Sequence, residues 1–369
     1  MSLAGELVVR LSGTDDDPCP SARIERPRVA ERLFAGRTAA EAETLAGTIF
    51  AICGRSQAVA AACAREAAEG RVPDDATQRS RALRVAAETA QEHLWRLAAD
   101  WPRLAGGEPD TQRLAAGRAV LSPLLDAAGT GGSDASARAA RDWAQAALFG
   151  ISPSDFLSME TMAALAGWLR GAGTPATGLA LAILEHHGRD GAADTAFLPP
   201  ATQLLAGRDF ARALDADPAF EEAPVWRGEP RETGCLARTA GHPLVQDAIE
   251  TFGRGVGARV VARLADAAMA FEALGGSGEA RHGSASVSGD GFGWVETARG
   301  LLVHRARLED GRIASWRIVA PTEWNFHPAG AFAKAAATLE PGPGLEAKVR
   351  WIVGTLDPCV AVRYEAGHA

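Results

Sequence analysis

The chain has 369 residues, 47% of them apolar, which is enough for one large or two ordinary domains with a full core and is not the composition of a disordered chain. Its net charge of −8, from 38 Lys and Arg against 46 Asp and Glu, excludes the basic face that nucleic-acid binding needs. No apolar run reaches the roughly 18 residues of a membrane span. The start, MSLAGELVVRLSG, lacks the layout of a secretory signal. Five scattered cysteines (Cys19, Cys53, Cys63, Cys235, Cys359) make no disulfide framework. These features together predict a protein of the reducing cytoplasm, with neither nucleic acid nor membrane as partner.

In chain order, GELVVRLSG alternates apolar and polar residues and predicts a strand. DDDPCPSARIERPRVAERLFAGR, with prolines on both sides of Cys19 and a third at Pro27, reads as a loop. An Ala-rich helical stretch starts at Thr38 and runs through Cys53 and Cys63. Thr38 with Glu41 forms a capping-box signature. A second helical stretch, RSRALRVAAETAQEHLWRLAADWP, closes at Pro102. Further helix is expected near 134–149 and 158–171, with loops near 104–110, 127–133 and 188–200, and one long helix across 243–274. After residue 280 the period changes to two. HGSASVSGDGFGWVETARGLLVHRARLEDGRIASWRIVAP predicts an antiparallel meander, with Asp290–Gly291 and Asp310–Gly311 as hairpin turns. A short helix, the EPGPG loop and a last helix lead to Asp357–Pro358–Cys359. The amino-terminal strand is expected to join the meander, and no internal repeat is found. The fold class is α+β, a mainly helical body with a small antiparallel sheet. A single domain is expected over 1–369, with the helical body at about 36–280 and the meander and C-terminal segment at about 281–369.

Two cysteines stand apart. Cys53 lies in TIFAICGRSQAVAAA, where the plain reading is a buried helix cysteine. The Gly54 after it lets another chain or a ligand approach the backbone. Cys359 sits in the turn-like LDPCVAVRYE. Cys63 reads as packing alone.

Read in order, ICGRSQAVA resembles the RxCGxCxxxH motif of nickel–iron hydrogenase large subunits, and LDPCVAVRYE their closing DPCxxCxxH. ETAQEHLWRLAADW (88–101) resembles the family's ExxxSHxxHxxxLxxxD, GCLAR (234–238) its GPLAR, GFGWVETARGLLVH (291–304) its GxGxxEAPRGxxxH, and VAPTEWN (319–325) its VPTTWN. The motifs keep the family's order and cover nearly the whole chain. The resemblance implies the large-subunit fold and a meeting of Cys53 with Cys359. In the family, two cysteine pairs hold the metals, and the first member of each pair is terminal on nickel. Cys53 and Cys359 match those first members. Ser56 and Val362 stand at the bridging positions, and Ala60 and Glu365 at the two histidine positions. Valine cannot ligate a metal, so no stable nickel–iron centre is expected. The glutamate of an amino-terminal EGH-like motif matches Ala4, and only four residues follow Glu365, so neither proton transfer nor a removable tail is expected.

This combination resembles the HupK/HoxV-type hydrogenase accessory proteins. It implies a non-catalytic maturation scaffold that transiently holds iron with its two cyanides and one carbon monoxide, the Fe(CN)2(CO) unit. Cys53 and Cys359 would be the metal ligands, and Arg299, Pro321 and Thr322 would contact the unit. Small carrier chaperones and the hydrogenase large subunit would be partners. Two other readings stay open: a divergent large subunit with altered ligands, and a metal-free mimic that binds the same chaperones.

For other residues the plain readings are these. Arg299 forms an ion pair, with Glu296 as the candidate partner, unless it lines the pocket. Ser56 bonds to local backbone. His93 is an interior histidine. His304 makes a structural hydrogen bond or supports a ligand from outside. His186 and His187 lie on the surface, Cys19 is an exposed thiol, and His368 belongs to a mobile tail. The nine Trp residues are core or interface anchors.

Overall fold

The structure, a computed structural model, describes residues 5–11, 20–26, 33–49, 53–125, 134–276 and 278–365. The expectations for Ala4, Cys19, His368 and the loop at 127–133 lie outside the described residues. Two strands, β1 (Glu6–Arg10) and β2 (Ser21–Glu25), precede helices α1 (Ala39–Ile49), α2 (Gly54–Ala68) and α3 (Asp75–Trp95). Further helices follow, including Thr111–Leu125, Asp134–Ala144, Met162–Gly171 and Pro175–His187, before the central helix α4 (Val256–Ala273). The meander is β3 (His282–Val287), β4 (Asp290–Thr297), β5 (Gly300–Glu309) and β6 (Arg312–Val319). Helices α5 (Pro321–Asn325) and α6 (Leu345–Leu356) lead to a last strand, β7 (Ala361–Glu365).

The mainly helical body with a small antiparallel sheet is as expected. The sequence VGARVVARLADAAMAFEA is small or apolar apart from Arg259, Arg263, Asp266 and Glu272, and a helix so poor in polar residues belongs in the middle of a body. Val256 to Ala268 on α4 are all buried. Its buried polar side chains, Arg259, Arg263 and Asp266, follow one another at helical spacing and find partners inside the protein. Trp101, Trp316 and Trp324 are among the largest fully buried side chains, consistent with their reading as core anchors.

Five local expectations are corrected. The amino-terminal strand does not join the meander: β1 is the middle of a separate sheet, ordered β2-β1-β7, antiparallel to β2 and parallel to β7. Residues 21–25, read as loop, form the edge strand β2. The helix across 243–274 is two helices, Pro243–Phe252 and α4, parted where Gly253 takes a φ of +65°. The helix does not close at Pro102. A π-helical turn (Arg96–Asp100) extends α3, and the helical backbone continues past Pro102 to Leu104. The first hairpin turn is not Asp290–Gly291. Val287 pairs with Asp290, and Ser288 and Gly289 make the turn with φ of 57° and 89°. Asp310 and Gly311, at 50° and 73°, do form the second turn as expected. The Thr38 capping box also forms: Thr38 N donates to Glu41 Oε2 at 2.8 Å, and Glu41 N donates to Thr38 Oγ1 at 3.3 Å.

Gly291 and Gly293 have a packing role instead. Helix α2 lies across β4 so closely that a Cβ on Gly291 would stand 2.0 Å from the Ala64 carbonyl oxygen, and one on Gly293 2.0 Å from that of Ala60. The GFG stretch therefore sets how deep α2, and Cys53 at its start, sits against the meander. Gly293→Ala should lower stability by about 1–3 kcal/mol or more through overpacking. A urea midpoint within error of wild type would contradict this.

Candidate metal-binding site

Cys53 is not inside a helix, as the sequence suggested. It is the N-cap of α2, with φ −131° and ψ 41°, and its side chain caps nothing. The orphan amides of the first turn are met by Glu88 of α3 instead. Its carboxylate accepts from Arg55 N at 2.9 Å, Ser56 N at 2.8 Å and Ser56 Oγ at 2.5 Å. Ser56 thus bonds to a distant carboxylate rather than to local backbone. The Cys53 sulfur is left free, apart from Gln57 Nε2 at 3.8 Å. Gln57 Oε1 meets His304 Nε2 at 2.7 Å, so His304 supports the thiol from one residue away. Burial pushes His304 down to about 3, which keeps it neutral, and its Nε2–H then donates to Gln57. Gly54 serves close approach: a Cβ there would stand 2.6 Å from the Gly47 carbonyl of α1.

Cys359 arrives from the other end of the chain. Helix α6 ends at Asp357, which takes the left-handed conformation (φ 56°, ψ 73°) and turns the chain toward α5. There the Thr322 hydroxyl accepts from Cys359 N at 2.8 Å and donates to Cys359 Sγ at 2.9 Å. Pro321 starts α5, at a position where no N–H is required.

The two thiols are buried and free. Burial pushes the Cys53 thiol well up; Cys359 and Glu88 push the same way, and Arg299 opposes them. Two guanidinium groups flank the pair. Arg299 feels Asp357, Glu92 and both cysteines. Its partners are Glu92 at 2.6 Å and Asp357 at 3.2 Å, not Glu296, which pairs with Arg238. The second is Arg26, at the end of β2, with Nη2 3.6 Å from Cys359 Sγ and Nη1 2.7 Å from Glu323. Arg26 and Glu323 also line a groove of about 700 Å3 between β2 and β6.

Asp357 fixes this assembly. It is fully buried and contacts Arg263 at 2.9 Å, Arg299 and Arg96. Burial alone would raise its carboxyl, but the three guanidinium groups outweigh burial and hold it well below the carboxylate range.

The structure therefore brings Cys53, Cys359, Arg299 and Thr322 together, with Pro321 one residue away. Of the other family positions, two carry no donor atom and a third is engaged in an ion pair. Val362 lies on β7 opposite Leu7, Ala60 is buried beneath Gly293, and Glu365 pairs with Arg363. Sequence reasoning missed Arg26 and Asp357. The DPC motif did signal a functional segment around Asp357, but nothing in the sequence ties Arg26 to Cys359.

Among the described residues, His93, Cys235 and Asp266 also hold ligand-type atoms within 4.8 Å of one another. They are not suited to a cation. Asp266 already takes Arg238 at 2.9 Å, Arg281 at 2.6 Å and His93 at 2.8 Å. His93 is thus the satisfied interior histidine expected. Burial pushes it down to about 4, against the pull of Asp266. His187 is half-buried against Asp190 at 2.8 Å, whereas His186 is exposed.

The sequence profile of the family described as nickel-dependent hydrogenase matches residues 276–361. The chain is 34% identical to hydrogenase expression/formation protein HoxV of Cupriavidus necator, over 94% of this chain and 92% of that one. It is 34% identical to hydrogenase expression/formation protein HupK of Bradyrhizobium diazoefficiens, over 99% and 98%. In fold it is similar to the Ni-Fe-Se hydrogenase from D. vulgaris Hildenborough, with a TM-score of 0.62, 14% identity and coverage of 92% of this chain and 93% of that one. Among the described residues no helix is long and apolar enough to cross a membrane.

Two outcomes follow from the ion pairs. Asp357→Asn leaves the buried Arg263 without a carboxylate partner and Arg299 and Arg96 with one each, and should cost about 3–5 kcal/mol; a loss under 1 kcal/mol in urea unfolding would contradict the role given to Asp357. Asp266 is likewise held well below the carboxylate range, because Arg238, Arg281 and His93 outweigh the upward push of burial. Its contribution is fully present above its unfolded value of about 3.9 and is lost as pH falls through the lower folded value. The stability gap between wild type and Asp266→Asn should therefore be full at neutral pH and narrow below about pH 4. A gap independent of pH would refute this.

Proposed function

This chain belongs to the HoxV/HupK family of hydrogenase expression/formation proteins, and on that premise we propose that it is a non-catalytic maturation scaffold that holds an Fe(CN)2(CO) unit as cargo for a hydrogenase large subunit. The observation that carries the reading is the meeting of two free, buried thiols from opposite ends of the chain beside one guanidinium and one hydroxyl. The donor set fits the cargo. Soft thiolates suit a low-spin iron, and two of them leave room for diatomic ligands. The anionic cyanides match the fixed charge of Arg299, whose planar fork suits such acceptors better than a lysine would. Thr322 holds the Cys359 sulfur in place, and Gln57 with His304 steadies that of Cys53.

The missing ligands favour holding over turnover. Ser56 is locked onto Glu88, and Val362 offers only hydrocarbon, so the pair of bridging thiolates is gone. Burial favours the neutral form of Cys53, so a proton competes with the metal there, as suits temporary attachment. The groove between β2 and β6, which reaches Arg26 and Glu323, is the route by which small carrier chaperones deliver or collect the cargo.

Cys53→Ser combined with Cys359→Ser tests the reading in cells that depend on this chain for hydrogenase maturation. Maturation should fall to the level of a deletion while the protein accumulates normally and still captures its carrier. Full maturation with both thiols removed would leave the metal-free mimic as the better account. Hydrogen-dependent dye reduction by the purified chain would instead favour a divergent large subunit.

A further inference from the structure

Cys359 has a charged neighbour that lies outside every motif matched above. Arg26 reaches it from the end of β2, with Nη2 3.6 Å from Sγ. Glu323 holds the same guanidinium through Nη1 at 2.7 Å. An arginine paired with a buried glutamate is by itself an ordinary structural pair. Two observations set this one apart. The pair is polarised toward the thiols: the charges that act on Arg26 are those of Glu323, Cys359 and Cys53, whereas those that act on Glu323 are Arg26 and Glu221. It also stands at the margin of the site. The Arg26 side chain is 20% exposed and lines the groove between β2 and β6. Arg299, the other guanidinium beside the sulfurs, is buried and tied to Glu92 and Asp357.

Two soft thiols in one site attract any thiophilic divalent cation, zinc above all. We propose that Arg26 is a specificity-determining residue of the thiol site: its guanidinium disfavours a bare divalent cation on Cys359 and Cys53 and favours an iron whose own ligands are anionic. The preference follows from formal charge. A bare cation brings two positive charges beside a guanidinium, and like charges at that range repel. Ferrous iron with two cyanides and one carbon monoxide is neutral overall, and its cyanides accept from a guanidinium. Thr322 does not discriminate in this way, because its hydroxyl is uncharged and donates to Cys359 Sγ. What is admitted depends on the cargo proposed above; the refusal of bare cations depends only on where Arg26 stands.

The test is zinc binding to the purified full chain without cargo, measured at equilibrium and at one pH by competition with a chromophoric chelator. Arg26→Gln should bind zinc about tenfold more tightly than wild type. Arg26→Lys keeps the charge and should stay near wild type. Equal affinity in wild type and Arg26→Gln, absence of binding in both included, would overturn the inference. Arg26→Gln also strips Glu323 of its partner, and a freed carboxylate attracts zinc by itself. Arg26→Gln combined with Glu323→Gln removes both charges and should keep the tighter binding; a return to wild-type affinity would count against Arg26 just as firmly. The titration needs no iron cargo, so its failure is told apart from failure of the cargo reading, which is a blank infrared spectrum in wild type.

Discussion

The site depends on one buried carboxylate. Asp357 ends the last helix in a left-handed turn and is shared by Arg263 of the central helix, Arg299 of the β4–β5 turn and Arg96 of the π-helical extension of α3. These three arginines come from parts of the chain far apart in sequence. A carboxylate fully buried among three guanidinium groups cannot shift without taking from Arg263 its carboxylate partner and from Arg299 and Arg96 one of two, and that penalty is what fixes the C-terminal segment. Cys359, two residues on, is placed by the same constraint. Thr322 then sets the direction of its sulfur.

The opposing thiol is placed by a different device. Helix α2 lies on glycines of β4, and its first turn is capped by a carboxylate from α3 instead of by its own N-cap residue. An N-cap position is usually given to Ser, Thr, Asp or Asn, whose side chain folds back onto the helix. With Glu88 in that role, position 53 is free to carry a thiol that points elsewhere. The parallel pairing of β7 with β1 anchors the segment that follows Cys359 to the amino-terminal sheet.

The sequence was informative where local pattern decides structure. The meander, the Thr38 capping box and the helical body follow from periodicity and end signals. It misled where a long-range contact used the same residue for another purpose. Asp290 and Gly291 look like a turn, but the glycine is there to admit α2, and the turn falls two residues earlier. SARIE looks like loop because prolines surround it and only one of its edges is paired. The tail strand β7 gains its pairing from β1, at the far end of the chain, which no local signal reports. For the site, it was the resemblance to the large-subunit family that implied a meeting of Cys53 with Cys359 and named Arg299, Pro321 and Thr322; the residues alone did not. Arg26 was not among them, because its contact with Cys359 depends on the path of β2.

The central claim is that Cys53 and Cys359 together hold an iron bearing cyanide and carbon monoxide. Its most direct test is an infrared spectrum of the chain purified without oxygen from a host with its maturation machinery intact, because those ligands absorb where protein does not. The account predicts bands for both cyanide and carbon monoxide in wild type and their loss in Cys53→Ser and in Cys359→Ser. A blank spectrum from wild-type protein that still captures its carrier chaperone, or bands that survive both substitutions, would contradict it.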